Sequence, residues 1–356
     1  MGGTRDEGRV TAARVVRWLW GTSPAARVAR LPLVPLAGVY WAAMRVRNAR
    51  YAGGGVVRLS LPTIAVGNLS VGGTGKTPLA AWIAAYCARR GWKPGILLRG
   101  YGGDEPLVHR RLVPEAVVVA NPDRVAGAAA ARAAGARVLV LDDAYQLLGV
   151  ARDVNVAVVS AESWAGSPWP LPAGPWRERW EALHRADLIV VTRKHAPAPA
   201  AVEVAGWLAR RRPGTPIAIA WLTVEYLEGI QSGTRAALGI LAGQDVVAAA
   251  GIADPTSFAA QLSAAGARVQ LLAYQDHHPY GPSDLGRLVR AATAGGYVVI
   301  TEKDAVKLRG RWPEGIPEPL VAVLGIRWER DGGVLEQALD AALAPLGRSQ
   351  TPQMRE

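Results

Sequence analysis

The sequence has a single cysteine, few lysines and an apolar N-terminal stretch that is too short to cross a bilayer. With only Cys87, an intramolecular disulfide framework is excluded and a reducing compartment is indicated. We expect Cys87 to act as a small apolar residue within a helix. The uncharged stretch 31–44 has 14 residues, with Pro32 and Pro35 among them, whereas a membrane-spanning helix needs about 20.

Acidic residues are scarce at the N-terminus. The chain carries 41 Lys and Arg against 29 Asp and Glu, a net charge of +12. The first 50 residues contain nine arginines but only Asp6 and Glu7, so +7 of the +12 lies in this segment. Such a basic end predicts an anionic partner, either a membrane surface or nucleic acid.

The residues between these charges favour the membrane. From Gly8 to Trp20, helical spacing places the apolar residues on one side of a helix, the arginines on the opposite side and the tryptophans at the margins. The apolar side holds Ala12, Val15, Val16 and Leu19; Arg14 and Arg17 lie opposite, with Trp18 and Trp20 at the margins. An amphipathic helix of this kind can lie in the membrane interface. The alternative is a helical hairpin packed on the protein's own core. A signal peptide is not expected, because Asp6 and Glu7 precede an apolar run that starts late.

After Gly53–Gly55 the pattern alternates between short apolar runs and helical stretches, which predicts a parallel α/β sheet covered on both faces. The predicted strands are 61–66, 95–98, 116–120, 138–141, 154–159, 188–191, 216–224, 236–241, 269–272 and 298–301. The predicted helices include 78–90, 124–134, 202–212 and 257–265.

This order predicts two α/β domains. We expect a basic membrane-associating segment at 1–50, a P-loop core at 51–214 and a linker at 215–240. A second, smaller α/β domain follows at 241–328, with a C-terminal helix and tail at 329–356.

One glycine-rich segment predicts a phosphate-binding loop. It consists of Ser70, Val71, Gly72, Gly73, Thr74, Gly75, Lys76 and Thr77, between a predicted strand and a predicted helix. In a P-loop the backbone N–H groups and the helix N-terminus bind phosphate oxygens. Lys76 can then reach the outer phosphates, and the Thr77 hydroxyl can bind Mg²⁺. The usual first glycine of the motif is replaced by Ser70.

Two aspartates follow the predicted strand 138–141. Asp142 and Asp143 lie where Mg²⁺ needs a second protein ligand; the alternative is a pair of solvated turn residues. Guanine recognition usually needs an NKxD-like element after a later strand, but the run Thr192–Ala196 has no aspartate two residues beyond Lys194. We therefore expect ATP rather than GTP.

Together these segments resemble the tetraacyldisaccharide 4'-kinases, which phosphorylate a lipid A precursor. The matching strings run in the family's order over nearly the whole chain. They are VGNLSVGGTGKTP (66–78), LRGYGG (98–103), GDEPL (103–107), NPDR (121–124), LDDAYQ (141–146), LPAGPWRE (171–178), ADLIVVT (186–192), AGIADPTSF (250–258), DHHPY (276–280) and TEKDAVKL (301–308).

The resemblance implies transfer of the ATP γ-phosphate to the 4'-hydroxyl of a tetraacylated glucosamine disaccharide 1-phosphate. It implies two P-loop-like α/β domains joined by a β-ribbon, with the N-terminal helix in the cytoplasmic leaflet of the inner membrane. Asp104 is implied as the catalytic base with His277 as its partner. The positions of Arg124, Asp142, Asp143, Arg177 and Glu178 match positions implicated in phosphate, Mg²⁺ or active-site contacts. We assign Arg124 and Arg177 to ATP, and Asp142, Asp143 and Glu178 to Mg²⁺. We expect no nucleic-acid partner and no obligate protein partner.

Two positions depart from the family pattern. Members usually have some 15 to 25 residues between RGYGG and GDEP, but here the two strings share Gly103. The shorter connection either moves Asp104 or removes a surface loop. The family's DDGFQ also reads DDAYQ, and Ala144 fits there unless a positive φ is required. The alternative function is a P-loop GTPase or ATPase that delivers a metal or assists assembly, although no Cys/His metal cluster accompanies the loop.

Overall fold

The computed structural model describes residues 15–16, 18–52, 54–100, 103–164 and 169–348. Most of the amphipathic helix predicted from Gly8 to Trp20, namely residues 8–14 and 17, lies outside them. Two compact units are present. The smaller unit takes its described residues from Met1–Pro32, Tyr101–Val108 and Leu222–Ile326, and the P-loop unit from Leu33–Gly100, His109–Trp221 and Arg327–Glu356.

The P-loop unit is built on parallel strands, as predicted. In the order β3, β2, β4, β1, β5, β6, β7, each strand pairs in parallel with the next. Their bounds are β1 Thr63–Asn68, β2 Pro94–Leu98, β3 Val117–Ala120, β4 Val138–Leu141, β5 Val154–Ser160, β6 Leu188–Arg193 and β7 Ile217–Gly229. Every residue of β1, β2, β4 and β5 is buried, which explains why these strands read as continuous apolar runs.

Two helices precede β1, the first of them in the smaller unit, and the others lie between these strands along the chain. Their bounds are α1 Pro24–Arg30, α2 Val34–Ala52, α3 Lys76–Arg89, α4 Glu105–Leu112, α5 Arg124–Ala133, α6 Ala161–Trp164 and α7 Ala198–Arg211, with 3₁₀ turns at Leu31–Leu33 and Trp180–Arg185. Helix α5 is N-capped by Asp123, whose side chain accepts from the amides of Val125 and Ala126. Cys87 is buried in α3, and burial raises the pKa of its thiol to about 12, so it serves as an apolar core residue.

The smaller unit has its own strands, ordered β10, β9, β11, β12 and paired in parallel. They are β9 Asp245–Ala250, β10 Arg268–Ala273, β11 Tyr297–Thr301 and β12 Leu320–Arg330; the helices are α8 Pro255–Ala264, α9 Pro282–Thr293 and α10 Glu302–Leu308. The C-terminal helix, α11 Gly332–Arg348, belongs to the P-loop unit. The extended run predicted at 236–241 is wrong in detail. Only β8, Arg235–Ala236, is a strand, antiparallel to β7, and Leu238–Leu241 is a 3₁₀ turn.

The compact units divide the chain differently from the predicted domains. Tyr101–Val108 belongs to the smaller unit although it lies inside the predicted core 51–214, and Arg327–Glu356 belongs to the P-loop unit. Strands β7 and β12 contribute residues to both units. In the described part of the chain, no helix combines the length and the hydropathy that a membrane crossing requires.

Candidate active site

The loop after β1 has the backbone that a phosphate-binding loop needs. Gly72 and Gly75 have φ of 115° and 92°, a region that residues with a Cβ adopt at a cost. Ser70 is not among the described residues with positive φ, so serine is tolerated where the motif usually has glycine. The Asn68 side chain donates to Thr74 Oγ1 at 2.8 Å, and the Thr192 hydroxyl donates to the Thr74 carbonyl at 2.8 Å. These two bonds hold the loop between the ends of β1 and β6.

Lys76 and Arg177 both approach Asp143. The Lys76 Nζ lies 3.7 Å from Asp143 Oδ1, and Arg177 Nη1 lies 3.1 Å from both carboxylate oxygens. Arg177 reaches this position because residues 175–177 run alongside the start of the loop, with the Arg177 amide donating to the Leu69 carbonyl at 2.7 Å. The structure thus brings three of the predicted residues together, because the side chains of Lys76 and Arg177 both lie beside the Asp143 carboxylate.

Asp142 is buried at the end of β4. Its Oδ2 lies 2.9 Å from His109 Nε2, and its Oδ1 accepts from the amide of Asp143 at 2.8 Å. Burial on its own would raise the pKa of this carboxyl, but His109, Lys76 and Thr77 outweigh it and hold that pKa below its ordinary value. Asp142 is therefore an ionised carboxylate beside the Thr77 hydroxyl, a pair of oxygen ligands suited to Mg²⁺.

Arg124 is buried at the start of α5. Its Nη1 donates to the Asn121 carbonyl at 2.6 Å. Burial, followed by the charge of Arg99, lowers the pKa of the guanidinium, while Asp142 and Asp143 oppose that shift. These influences place Arg124 within electrostatic reach of the two aspartates.

Glu178 is engaged by other side chains. Its Oε2 accepts from Asn48 at 2.7 Å, and its Oε1 accepts from Arg185 at 2.8 Å and Gln146 at 3.2 Å. Beside it, the Tyr40 hydroxyl donates to the Arg177 carbonyl at 3.1 Å. Both oxygens of the predicted Mg²⁺ ligand thus take part in a network that ties α2 to residues 177–178.

In the smaller unit, Asp104 and His277 are in contact. The Asp104 Oδ1 lies 2.7 Å from His277 Nδ1, although the two residues are 173 positions apart. Lys307 Nζ lies 3.0 Å from Asp104 Oδ2, close enough for an ion pair although its angles are not those of a hydrogen bond. Burial would raise the pKa of the Asp104 carboxyl, but Lys307 and then His277 hold it below its ordinary value. The short connection at Gly103 has therefore not moved Asp104 away from His277.

Sequence reasoning missed His109 and Lys307. His109 has a wholly buried side chain on a helix whose sequence is otherwise rich in arginine and aliphatic residues. Lys307 lies in the TEKDAVKL string, but only a contact across the fold distinguishes it from Lys303. The substitution at Ala144 proves compatible with the backbone, because Ala144 is not among the described residues with positive φ.

A family model decides the relationship. The model of the tetraacyldisaccharide-1-P 4'-kinases, LpxK, matches residues 29–103 and 102–344. The chain belongs to this family. The two matched segments meet at residues 102–103, where the connection between RGYGG and GDEP is short.

Curated relatives and a solved structure agree with this assignment. Tetraacyldisaccharide 4'-kinases from Anaeromyxobacter sp. (strain K) and Methylibium petroleiphilum are 36% and 37% identical to the chain; the alignments cover 94% and 88% of this chain and 96% and 90% of those proteins. A crystal structure of LpxK from Aquifex aeolicus in complex with ATP has a TM-score of 0.68 and 25% identity, over 88% of this chain and 99% of that one. The predicted family, α/β P-loop fold and kinase class are thereby confirmed.

Proposed function

We propose that this chain transfers the γ-phosphate of ATP to the 4'-hydroxyl of a tetraacylated glucosamine disaccharide 1-phosphate. The observation that carries the proposal is the 2.7 Å contact between Asp104 and His277. A P-loop alone is common to ATPases, GTPases and kinases. Phosphorylation of an alcohol also requires a group that orients the hydroxyl and takes its proton. The Asp104–His277 pair is of this kind, and family membership names the acceptor.

The P-loop unit supplies the groups for ATP. Residues Ser70–Thr77 bind phosphate oxygens through their backbone amides, and Lys76 compensates the charge that develops on the transferred phosphoryl group. Arg124 and Arg177 add positive charge near Asp143. Both arginines are proposed to face phosphate when ATP is bound.

Mg²⁺ is proposed to bind at Asp142 and Thr77. The pKa of the Asp142 carboxyl is held below its ordinary value, and the Thr77 side chain contributes to that shift. When bound, the ion would neutralise charge on the phosphates. Among the described residues, no three His, Cys, Asp or Glu side chains are grouped to hold a metal, and Mg²⁺ in such sites commonly keeps several waters and phosphate ligands. We propose that Asp143 pairs with Lys76 and Arg177, and that Glu178 supports the position of Arg177. Neither carboxylate is then a ligand of the metal.

We propose that the enzyme acts at the cytoplasmic face of the inner membrane. On the described N-terminal residues, Val28, Leu31, Leu36 and Val39 have 56–69% of their surface exposed. Side chains packed as a hairpin on the protein's own core would be covered, so this exposure favours an interfacial role. The nine arginines of the first 50 residues would add attraction to anionic lipid.

The direct test uses labelled ATP and the tetraacyl disaccharide 1-phosphate in detergent micelles with Mg²⁺. We expect label to appear in the lipid at the 4' position, and no transfer with Lys76→Ala. Absence of transfer by the unaltered enzyme, or full transfer by Lys76→Ala, would contradict the proposal.

A further inference from the structure

One carboxylate of the P-loop unit is bound by the backbone of a neighbouring loop. Glu162 lies in α6, directly after β5, and its side chain is 13% exposed. Its Oε1 accepts from three successive amides that follow β6, those of Lys194, His195 and Ala196, the last two at 3.1 Å. Its Oε2 accepts from the Ser160 hydroxyl at 2.7 Å. Successive N–H groups that converge in this way form an anion-binding nest, and here the anion belongs to the chain itself.

Glu162 is ionised and holds this loop in one conformation. Burial on its own would raise the pKa of its carboxyl, but the hydrogen bonds from the Lys194 amide, the Ser160 hydroxyl and the Ala196 amide outweigh burial and hold that pKa below its ordinary value. Without the carboxylate, three amide donors would lose their acceptor, which is costly wherever water cannot replace it. The loop is therefore fixed from one side by Glu162.

The direction of these amides sets the direction of the carbonyls. In a trans peptide the N–H and C=O bonds of one peptide unit point in opposite directions, and the peptide units of 193–196 are trans. Because the amides of 194–196 point toward Glu162, the carbonyls of 193–195 point away from it. One of them, the Lys194 carbonyl, accepts from the Trp221 indole at 3.0 Å. The loop thus presents hydrogen-bond acceptors on the side opposite to Glu162.

The same loop begins beside the phosphate-binding loop. Strand β5 pairs in parallel with both β1 and β6, so the segments after β1 and β6 leave the same edge of the sheet. At the end of β6 the Thr192 hydroxyl donates to the Thr74 carbonyl at 2.8 Å. Ligands of parallel α/β sheets bind beyond the carboxyl ends of the strands, and the guanine-recognising element of P-loop proteins follows a later strand, as 192–196 does here. This position makes 193–196 the segment to contact the base of a nucleotide.

We propose that Glu162 determines which purine the enzyme accepts, by directing the carbonyls of 193–195 toward the base. The inference rests on the proposed binding of ATP at Ser70–Thr77 and adds to it the residue behind the choice of base. Glu162 is a positioning residue, because it acts through the loop and not by contact with the nucleotide.

The chemistry of the purines explains the choice. Adenine has an amino group at C6, which donates hydrogen bonds, whereas guanine and hypoxanthine have an oxygen there, which accepts them. A carbonyl of the loop can accept from the amino group but leaves the oxygen without a donor, at a cost in affinity of about tenfold or more. The amides that could bind such an oxygen are already engaged by Glu162. The loop therefore favours a 6-amino purine and rejects a 6-oxo purine.

The test compares three nucleotides that differ at C6, namely ATP with an amino group, ITP with an oxygen and purine riboside triphosphate with hydrogen. Affinity for the full chain, with Mg²⁺ and without lipid, is measured by displacement of a fluorescent ADP derivative. We expect the unaltered enzyme to bind ATP about tenfold or more tightly than ITP, with purine riboside triphosphate between them. In Glu162→Ala the ratio of ATP to ITP affinity should fall about fivefold or more, because the freed amides can turn toward the oxygen.

Two further variants serve as controls. Glu162→Gln keeps an oxygen that can accept from the amides, so it should retain more of the ATP-to-ITP ratio than Glu162→Ala. Ser160→Ala removes the hydrogen bond to Oε2 but leaves Oε1 with the three amides, so its ratio should match that of the unaltered enzyme. A ratio lowered equally in Ser160→Ala and Glu162→Ala would count against the inference.

Equal weakening of all three nucleotides in Glu162→Ala, with the ratio unchanged, would mean that Glu162 only supports the fold and would overturn the inference. An unaltered enzyme that binds ITP as tightly as ATP would overturn it as well. If Glu162→Ala does not fold, as thermal unfolding would reveal, Glu162→Asp takes its place under the same criterion, because its carboxylate is withdrawn from the amides by one methylene group. The lipid assay is run in parallel. An enzyme that binds ATP but transfers no phosphate to the lipid would refute the proposed function alone, because the ratio is measured without lipid.

Discussion

His109→Phe tests how Asp142 is held ionised inside the P-loop unit. The substitution keeps a ring in a wholly buried place but removes the donor that lies 2.9 Å from Asp142 Oδ2. A hydrogen bond to a charged group contributes about 1.5–3 kcal/mol. Against this, His109 Nδ1 has no hydrogen-bond partner in the described part of the chain. Its replacement by carbon therefore raises the free energy of unfolding by about 1 kcal/mol. We expect a net loss of about 1–2 kcal/mol in the free energy of unfolding.

The pH dependence of that loss identifies the group responsible. The pKa of Asp142 is lowered in the folded protein, so its contribution is complete above the ordinary value of about 3.9 and disappears as the pH falls through the lowered value. The part of the deficit that Asp142 contributes should therefore be the same at pH 7 and pH 5. Urea unfolding followed by tryptophan fluorescence, with EDTA present, would measure it. The control is His184→Phe, since His184 is exposed. A deficit no larger than that of the control would refute the assignment.

Three further outcomes are expected. Lys76→Ala should abolish phosphoryl transfer and leave the thermal unfolding midpoint within about 2 °C, because the ion pair of its side chain, with Asp143 at 3.7 Å, involves a partly exposed carboxylate. Leu36→Ser combined with Val39→Ser should weaken binding to anionic vesicles, measured by sedimentation, while turnover of substrate dispersed in detergent changes less. Gly67→Ala should destabilise the protein by about 1–3 kcal/mol in urea, because a Cβ there would lie 2.5 Å from the Tyr145 amide nitrogen; an unchanged midpoint would contradict this packing.

The strands and the phosphate-binding loop could be predicted because their signals are local. The run 138–141 was predicted with the bounds that β4 has, since a strand buried on both faces must be apolar throughout. The motif from Ser70 to Thr77 likewise depends on neighbours along the chain. The run 236–241 was misjudged because apolar residues at a short 3₁₀ turn look the same as a weak strand.

The partners of the site residues could not be predicted in this way. Asp104 and His277 were paired through the family resemblance alone, and neither composition nor periodicity relates residues 173 positions apart. Lys307 and His109 carry no local signature, because a lysine or histidine on a helix is most often a surface residue. The structure, and not the local sequence, shows that His109 is buried beside Asp142 at the end of β4. The compact units also divide the chain differently from the predicted domains, since residues 101–108 lie within the predicted P-loop core but belong to the smaller unit.

The bonds from α2 to residues 177–178 bear on how a shortened, more soluble enzyme should be made for crystallisation or inhibitor screening. Removing the N-terminal residues through Arg45 would discard Tyr40, which donates to the Arg177 carbonyl, and would leave Asn48 on the remnant of a helix. Lower activity in such a protein would then have two causes, poorer contact with lipid and a misplaced Arg177. A start before Val34 keeps the helix whole. Serine at the exposed positions of that helix would improve solubility without loosening the residues it supports.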